Sequence, residues 1–501
     1  MLVLDRPFIT ASAAIYLLLV VLVGIWSARR TRTTKDFWIA GQSIGLWLVG
    51  LATMSAAFSG FVFIGGPGLM YQLGVGSLFI VIPVSFTAGL LCWVLAKRLR
   101  LLAGVREVYT IPDAIYARYR SRSASAVAAI AVIVGTVAYL GLQFLAMGRL
   151  LEAVLGTRAY FGAQSLTVAV GVGVAVVLVY ATLGGMIAGV YTDLVQGSLM
   201  ALVAGVVFFH AIATAGGPAS VAASIAASDA FGPGFLEPFG TVPIFTAIGF
   251  YFVFAVGTLG QPHMLHKFYM LDDPRKLKWL PLIIGTTQTL CVLIWLGIGL
   301  AVPALVAQGR MDALARADDA APLYLTQFAP SLLAGLVFAG VLAAIMSTAD
   351  SFVNIGSAAL VRDLPKALGR ELTHELRWGR VAVVGIALAA AALALAHGDL
   401  IALLGTFAFG TFGAALAPAL AVGLNWRRVT ARAATASMVV GIVFNVALEL
   451  AARSGLSIFA PGVLPTAVSM AASFTVLMVL TWFESPEGDA IDDDVRLVMD
   501  T

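Results

Sequence analysis

The stretch AAIMSTADSFVN, Ala343 to Asn354, places Ser347, Thr348, Asp350, Ser351 and Asn354 within eight positions. At about 100° per residue these five fall in a helical sector of about 160°, while Ile345, Met346, Ala349, Phe352 and Val353 fill the remainder. Hydroxyl, carboxylate and amide oxygens on one face are the donors that a hard cation prefers. Two adjacent hydroxyls, a backbone carbonyl one turn earlier and carbonyls freed at a break in a neighbouring helix supply about five oxygens. Ser347 and Thr348 taken alone fit helix packing equally well, since small hydroxyl residues also serve that role. The carboxylate of Asp350 costs roughly 2.5 to 3.5 kcal/mol at the centre of a membrane helix, so it must face a partner, a cation or water.

The elements that position this face are membrane helices. The chain of 501 residues is 60% hydrophobic, has a mean hydropathy of +0.98 and is only 11% charged, against about 25% in soluble domains. Apolar runs of about 20 residues begin near Phe8, Leu46, Ser77, Ala124, Ser165, Ile187, Thr241, Leu280, Ser331, Val381, Leu400, Ala433 and Gly462, which makes thirteen expected helices in an all-α membrane protein. The first run has no basic stretch before it and no small-residue cleavage site after it, so it is expected to be retained.

Assigning connections alternately gathers 24 of the 30 basic residues on one side, leaving Arg6, Arg149, Arg158, Arg310, Arg316 and Arg453 on the other. Lys267 is counted with the larger group. The bias places the N-terminus outside and the C-terminus in the cytoplasm of a multi-pass plasma-membrane protein. The net charge of +4 is thereby a topology signal, and nucleic-acid binding has no role to fill.

No GxxxxGK[ST] or HExxH sequence occurs, and His210, His263, His266, His374 and His397 form no cluster. ATP-driven transport and intramembrane enzyme chemistry are disfavoured, and an ion gradient is the natural driving force. Cys92 and Cys291 lie in apolar runs without metal-type spacing and read as packing residues.

Two runs carry helix breakers: ATMSAAFSGFVFIGGPG (Ala52 to Gly68) and VGTLGQPH (Val256 to His263). Breaks of this kind persist in a bilayer only where they line a protein cavity or bind something. Their separation matches inverted five-helix repeats, with repeat one near 44–214 and repeat two near 241–424. Helix 1 near 8–28 and helices 12 and 13 near 433–483 lie outside them. The transporter domain would thus cover 1–484, and 485–501 would be a short acidic cytoplasmic tail, solvated and disordered. Two long outside connections, 216–240 and 307–330, are expected to hold short helices or a lid.

Asp193 follows Gly184 and Gly185 with no basic residue nearby in sequence. Two readings stand open: a helix-start acid favoured by the dipole, or part of an ion site. Asn445 and Glu449 read as outer-end polar groups.

The segments DFWIAGQSIGLWLVGLATMSAAFSGFVFIGGPGLMY, YTIPDAIYARY, YATLGGMIAGVYTDLVQ, GTLGQPHMLHKFYML and LAGLVFAGVLAAIMSTADSFVNIGSAALVRDL, from Asp36 to Asp363, together resemble the sodium/solute symporter family. The resemblance implies a LeuT-like fold, Na⁺ as the coupling ion and alternating access. It implies a sodium site made by the carbonyls of Ser55, Phe58 and Ala344 and the hydroxyls of Ser347 and Thr348. A second sodium would use Asp193, Ser347, Asp350 and Ser351, although Asp350 stands where the two-sodium pattern has serine. Asp350 is alternatively expected to bond the sixth helix or a loop. For the solute, the resemblance points to Ser59, Tyr139, Gln143, Phe254, Thr258 and Gln261. Tyr139 and the GQPH segment resemble the proline branch, and Gln143 the pantothenate and acetate branches. Core packing is an equal alternative for Tyr139 and Phe254. The implied activity is sodium-coupled import of a proline-like amino acid, with a monocarboxylate or pantothenate-type solute as the alternative. A transporter-like sensor is the rival of another class, and no output domain supports it.

Overall fold

The structure, a computed structural model, describes residues 7–28, 33–370, 372–396, 401–456, 458–484 and 491–501. Arg6, Arg29, Arg30, Arg32, His397 and the first part of the tail, 485–490, lie outside them. The chain is all-helical, with helices α1 (Pro7–Ala28), α2 (Leu46–Ala57), α3 (Gly66–Leu73), α4 (Val81–Leu91), α5 (Lys97–Val105), α6 (Ile111–Tyr119), α7 (Arg122–Leu155) and α8 (Ser165–Thr214). There follow α9 (Ile244–Val256), α10 (Pro262–Tyr269), α11 (Leu280–Ala307), α12 (Ser331–Ala358), α13 (Glu375–Ala396), α14 (Ile401–Ala417), α15 (Ala431–Arg453), α16 (Pro465–Phe483) and α17 (Asp493–Met499).

Among the described residues eleven stretches are long and apolar enough to cross a membrane, and Ala11–Ser27 and Leu46–Ala57 are shorter apolar helices. A straight helix the length of α8 would be about 75 Å long, more than twice the ~30 Å hydrocarbon core. Accordingly α8 contains two membrane-length stretches, Arg158–Val179 (which takes in the short turn before it) and Met186–Thr214.

Both expected breaks are present. After α2 the backbone of Phe58 is extended (φ −99°, ψ 109°), and the helix resumes through a wide turn at Phe61–Gly65 into α3. After α9 a tight turn at Gly257–Gly260 leads to extended Gln261 (φ −79°, ψ 102°), and Pro262 starts α10. Proline suits a first helical position because its missing N–H would have no partner there.

Burial sorts the helices. The most apolar 18-residue segment of Ser331–Ala367 is 83% buried, whereas those of Met186–Thr214, Ala431–Arg453 and Pro465–Phe483 are each 33% buried. α12 is therefore the central post, packed against α1, α7, α8 and α13. Small residues let helices approach where lipid gives no hydrophobic drive to associate. Gly66 lies flat against the indole of Trp295 in α11, where any Cβ would overlap the ring.

The two long connections do hold short helices, Pro218–Ala226 and Ala320–Gln327. The tail departs from expectation: α17 buries Val495, Val498 and Met499. It docks because the opposing surface is basic, with Arg106 gripping Asp494 at 2.6 and 2.7 Å and Asp492 at 2.6 Å. Arg120 adds a bond to Asp492 at 2.9 Å, and Arg427 pairs with Asp500. The hydrogen bonds from Arg106 hold the Asp494 carboxyl below its usual range. Asn445 is also corrected: it is buried in α15 and donates to the Thr411 hydroxyl of α14 at 2.8 Å, joining two helices. Glu449 remains a half-exposed partner of Arg453 at 2.9 Å.

Candidate functional site

The polar face of α12 meets the break after α2. Ser55, Ser347 and Thr348 are all buried. Thr348 Oγ1 lies 3.1 Å from the carbonyl oxygens of both Ala56 and Ala344, and Ser55 donates its hydroxyl to Ser347 Oγ at 2.8 Å. Ser347 in turn donates to Asp193 Oδ1 in α8. Sequence reasoning placed Ser55, Phe58, Ala344, Ser347 and Thr348 in one cluster, and the structure brings Ser55, Ala344, Ser347 and Thr348 into direct contact. The carbonyl that Thr348 meets in α2 is that of Ala56, one residue beyond the expected Ser55. Phe58 sits buried at the break itself.

Asp193 stands within the Met186–Thr214 stretch, two turns from its start, so the helix-start reading fails. No basic residue lies near it in sequence, but the fold brings one to it. Lys267 Nζ of α10 lies 2.8 Å from Asp193 Oδ2, with both side chains 1% exposed. Lys267, counted from sequence as a charge at a helix end, is thus enclosed in protein. α10 is buried over all eight residues, and its pairing distance of 74 positions left no local trace.

Asp350 is buried and accepts from Asn354 Nδ2 at 3.1 Å through Oδ1. Its Oδ2 and the Ser351 hydroxyl are buried without a hydrogen-bond partner. Asp350 does approach α8, the expected sixth helix, but against Gly189, where any side chain would overlap Oδ2. It makes a contact there, not a hydrogen bond.

The six residues named for the solute divide into two groups. Gln143 Oε1 accepts from the Gly60 N–H at 3.2 Å, so α7 reaches the first break, and Gln143 Nε2 is buried and unpartnered. Ser59 is buried beside it and caps the Phe61 N–H at 3.2 Å. Phe61 stacks on Phe254, 5.6 Å between centroids, and Phe254 stacks on Phe409 at 4.6 Å. Gln261 donates to the Gly257 and Phe409 carbonyls at 3.0 and 2.8 Å, leaving its Oε1 buried and unpartnered. Thr258 returns its hydroxyl to the Phe254 carbonyl at 2.6 Å and is internally satisfied. Tyr139 reaches the Ser59 hydroxyl at the first break and stacks on Phe352 at 4.5 Å with His263 5.7 Å away. His263 itself lies 4.4 Å from Phe352 with both ring nitrogens unpartnered. Phe352, Phe409 and His263 were not singled out from sequence. The GQPH segment is the only local signal that could have marked His263.

Polar contacts tie segments together at both ends of the membrane helices. At the basic end Asp113 accepts from Arg362 at 2.7 Å and Lys366 at 3.0 Å, and Thr110 donates to Asp363 at 2.9 Å. At the other end the loop before Ala320–Gln327 lies on α3, and Asp318 accepts from the Ile401 N–H at the start of α14 at 3.0 Å. Burial pushes the Asp318 carboxyl up to about 6. Among the described residues no group of three or more His, Cys, Asp or Glu could hold a metal ion. Hydroxyls and carbonyls are the donors on offer, which fits a weakly held monovalent cation better than a transition metal.

The Sodium:solute symporter family profile matches residues 37–441. The chain is 28% identical over 483 residues to the osmoregulated proline transporter OpuE of Bacillus subtilis, covering 94% of each. It is 27% identical to the sodium/proline symporter of Escherichia coli, covering 89% of each. With the sodium/pantothenate symporter of Escherichia coli it shares 26%, over 86% of this chain and 89% of that one. Among solved structures, a substrate-bound, outward-open Na⁺-coupled sialic acid symporter superposes with a TM-score of 0.76 at 18% identity, covering 96% and 98% of the two chains. A closed nucleobase-cation-symport-1 family transporter superposes at 0.58 and 12% identity, covering 94% and 99%.

Proposed function

The chain belongs to the sodium:solute symporter family and is a sodium-coupled secondary transporter of a small organic solute, not an enzyme; on that premise we propose that it imports a proline-like amino acid. Sodium is taken between the α2 break and α12, by the Ser347 and Thr348 hydroxyls with carbonyls of the Ser55–Phe58 turn and Ala344. The observation that carries this reading is Thr348 Oγ1 lying 3.1 Å from a carbonyl on each of the two helices. A cation replacing those hydrogen bonds would tie the helices together.

The solute sits at the neighbouring break, among Ser59, Gln143, the Phe61–Phe254–Phe409 stack and Gln261. The unpartnered Gln143 amide suits a carboxylate, the unpartnered Gln261 Oε1 suits an ammonium, and the aromatic stack suits an apolar ring. Tyr139 joins the site through its hydroxyl, which meets that of Ser59. Proline-transporting relatives support this choice, and pantothenate-transporting ones make a larger carboxylate the alternative. Cation and solute that favour the same arrangement strengthen each other reciprocally.

The finer architecture belongs to the same proposal: thirteen crossings, a LeuT-like inverted repeat of five helices centred on the two breaks, N-terminus outside and C-terminus cytoplasmic. The basic-residue bias supports that orientation. The transporter domain covers 1–484 and the acidic tail 485–501.

Uptake of labelled proline, acetate, pyruvate, lactate and pantothenate into proteoliposomes under an inward Na⁺ gradient tests the proposal. Proline accumulation that collapses when the gradient is dissipated is expected. Accumulation of another of these solutes without proline would reject the substrate, and binding without flux would reject transport.

A further inference from the structure

We infer that the Lys267 ammonium is a built-in cation that fills the second-ion position at Asp193, so that this chain binds one sodium ion where its carboxylates alone would call for two. The inference rests on the sodium-coupled reading above and concerns the cation count, not the solute.

Three observations carry it. Lys267 Nζ lies 2.8 Å from Asp193 Oδ2, with both side chains 1% exposed; every other ion pair given among the described residues has a side chain at least 11% exposed. The second Asp193 oxygen is taken by the Ser347 hydroxyl, itself held by Ser55. The carboxylate therefore meets the α2–α12 cluster on one side and an ammonium on the other. Finally, Asp350 Oδ2 and Ser351 Oγ remain buried without a partner on the next turn of α12.

Formal charge fixes the count. With both carboxylates ionised, Asp193, Asp350 and Lys267 sum to −1, which one Na⁺ neutralises. Without Lys267 the same enclosure carries −2, and its unpartnered oxygens are the donors a second Na⁺ would use. A buried charge left unbalanced is strongly disfavoured, so the enclosure takes up cations to match its carboxylates. Lys267 has nowhere else to go: all eight residues of α10 are buried, and its other close polar neighbour is the Met186 sulfur at 4.0 Å. His263 and His266, on the same helix, have ring nitrogens without partners and offer it no carboxylate.

Equilibrium binding of ²²Na⁺ to the purified full-length protein in nanodiscs, with no solute present, reads the count directly. One ion per chain is expected for the wild type and for Lys267→Arg. Two are expected for Lys267→Met, with the Hill coefficient of sodium binding rising from about 1 to about 2. The double variant Asp193→Asn/Lys267→Met restores charge balance and returns the count to one. Two ions on the wild type, or one on a monodisperse Lys267→Met protein, overturns the inference while leaving the transporter reading intact. If Lys267→Met does not fold, Lys267→Gln removes the same charge with a polar side chain: two ions are expected on it, and one overturns the inference. No sodium bound to the wild type rejects the sodium site itself, and the inference falls with it. A purely structural Lys267 would change stability without changing the ion count.

Discussion

The Asp193–Lys267 pair and the clasp of Arg106 on Asp492 and Asp494 each join a basic side chain to a carboxylate at nearly the same distance, 2.8 Å against 2.6 Å. Their surroundings differ. The first pair is 1% exposed on both sides, while Arg106 is 40% exposed and its partners 25% and 36%. Exposed pairs are screened by water and salt and contribute about 0 to 1 kcal/mol. Breaking one partner of a buried pair costs roughly 3 to 5 kcal/mol, because the survivor is left charged and unsolvated. Ion pairing of acid with base thus does two jobs. Inside, it balances charge in the proposed ion site; at the surface, it holds the tail against the basic face by contacts that salt can loosen.

The largest way to test the contrast is Lys267→Met. It should lower thermal stability by about 3 to 5 kcal/mol, with little dependence on ionic strength, and adding Asp193→Asn should recover most of the loss. Thermal unfolding of the two variants in detergent measures this. Equal losses in single and double variants would show that the two residues do not act as a pair.

Next in size is Asp318, whose burial is intermediate in consequence. Its folded value of about 6 lies above the ordinary 3.8, so the folded chain holds more protons between those values. The stabilisation is fully present below about pH 3.8 and is lost as pH rises through 6, a change of about 3 kcal/mol. Asp318→Asn should flatten the stability profile between pH 4 and 6, as read from melting temperature. A profile with the wild-type slope would assign that pH dependence to other groups.

A third test concerns the hydroxyl pair. Ser347→Ala with Thr348→Ala should raise the sodium concentration for half-maximal uptake by roughly 10- to 100-fold, about 1.4 to 2.8 kcal/mol. Sodium activation unchanged in that variant would remove both residues from the site.

The smallest effect belongs to the tail. Arg106→Gln should shift the melting temperature by the equivalent of about 1 kcal/mol or less at low salt, and by nothing measurable near 1 M, where the Debye length is about 3 Å. A shift that persists at high salt would mean the clasp is better shielded than its exposure indicates.

Much of the fold was legible in sequence because the bilayer imposes a simple rule: backbone groups must be satisfied within helices, so apolar runs mark them and glycine or proline interruptions mark breaks. The interruptions at Phe58–Gly60 and Gly257–Gln261 were read this way and occur there. The stripe from Ser347 to Asn354 was legible for the same kind of reason, since helical periodicity is local. Its second half changed meaning on folding: Asp350 and Asn354 satisfy each other in part, and Gly189 rather than a hydrogen bond receives Asp350.

What the sequence by itself determined is therefore the local part: a membrane-spanning, sodium-coupled chain with two interrupted helices and a hydroxyl pair one turn beyond Ala344. Only the tertiary structure decided the pairing. Lys267 and Asp193 lie 74 positions apart, and a lysine near a helix end reads the same in sequence whether it faces water or a buried carboxylate. The tail is a parallel case, since its acidic composition reads as solvated until a basic surface is folded opposite it. In both cases the charge is written in the chain, but the dielectric and the partner, which fix what that charge does, come from how the helices cross.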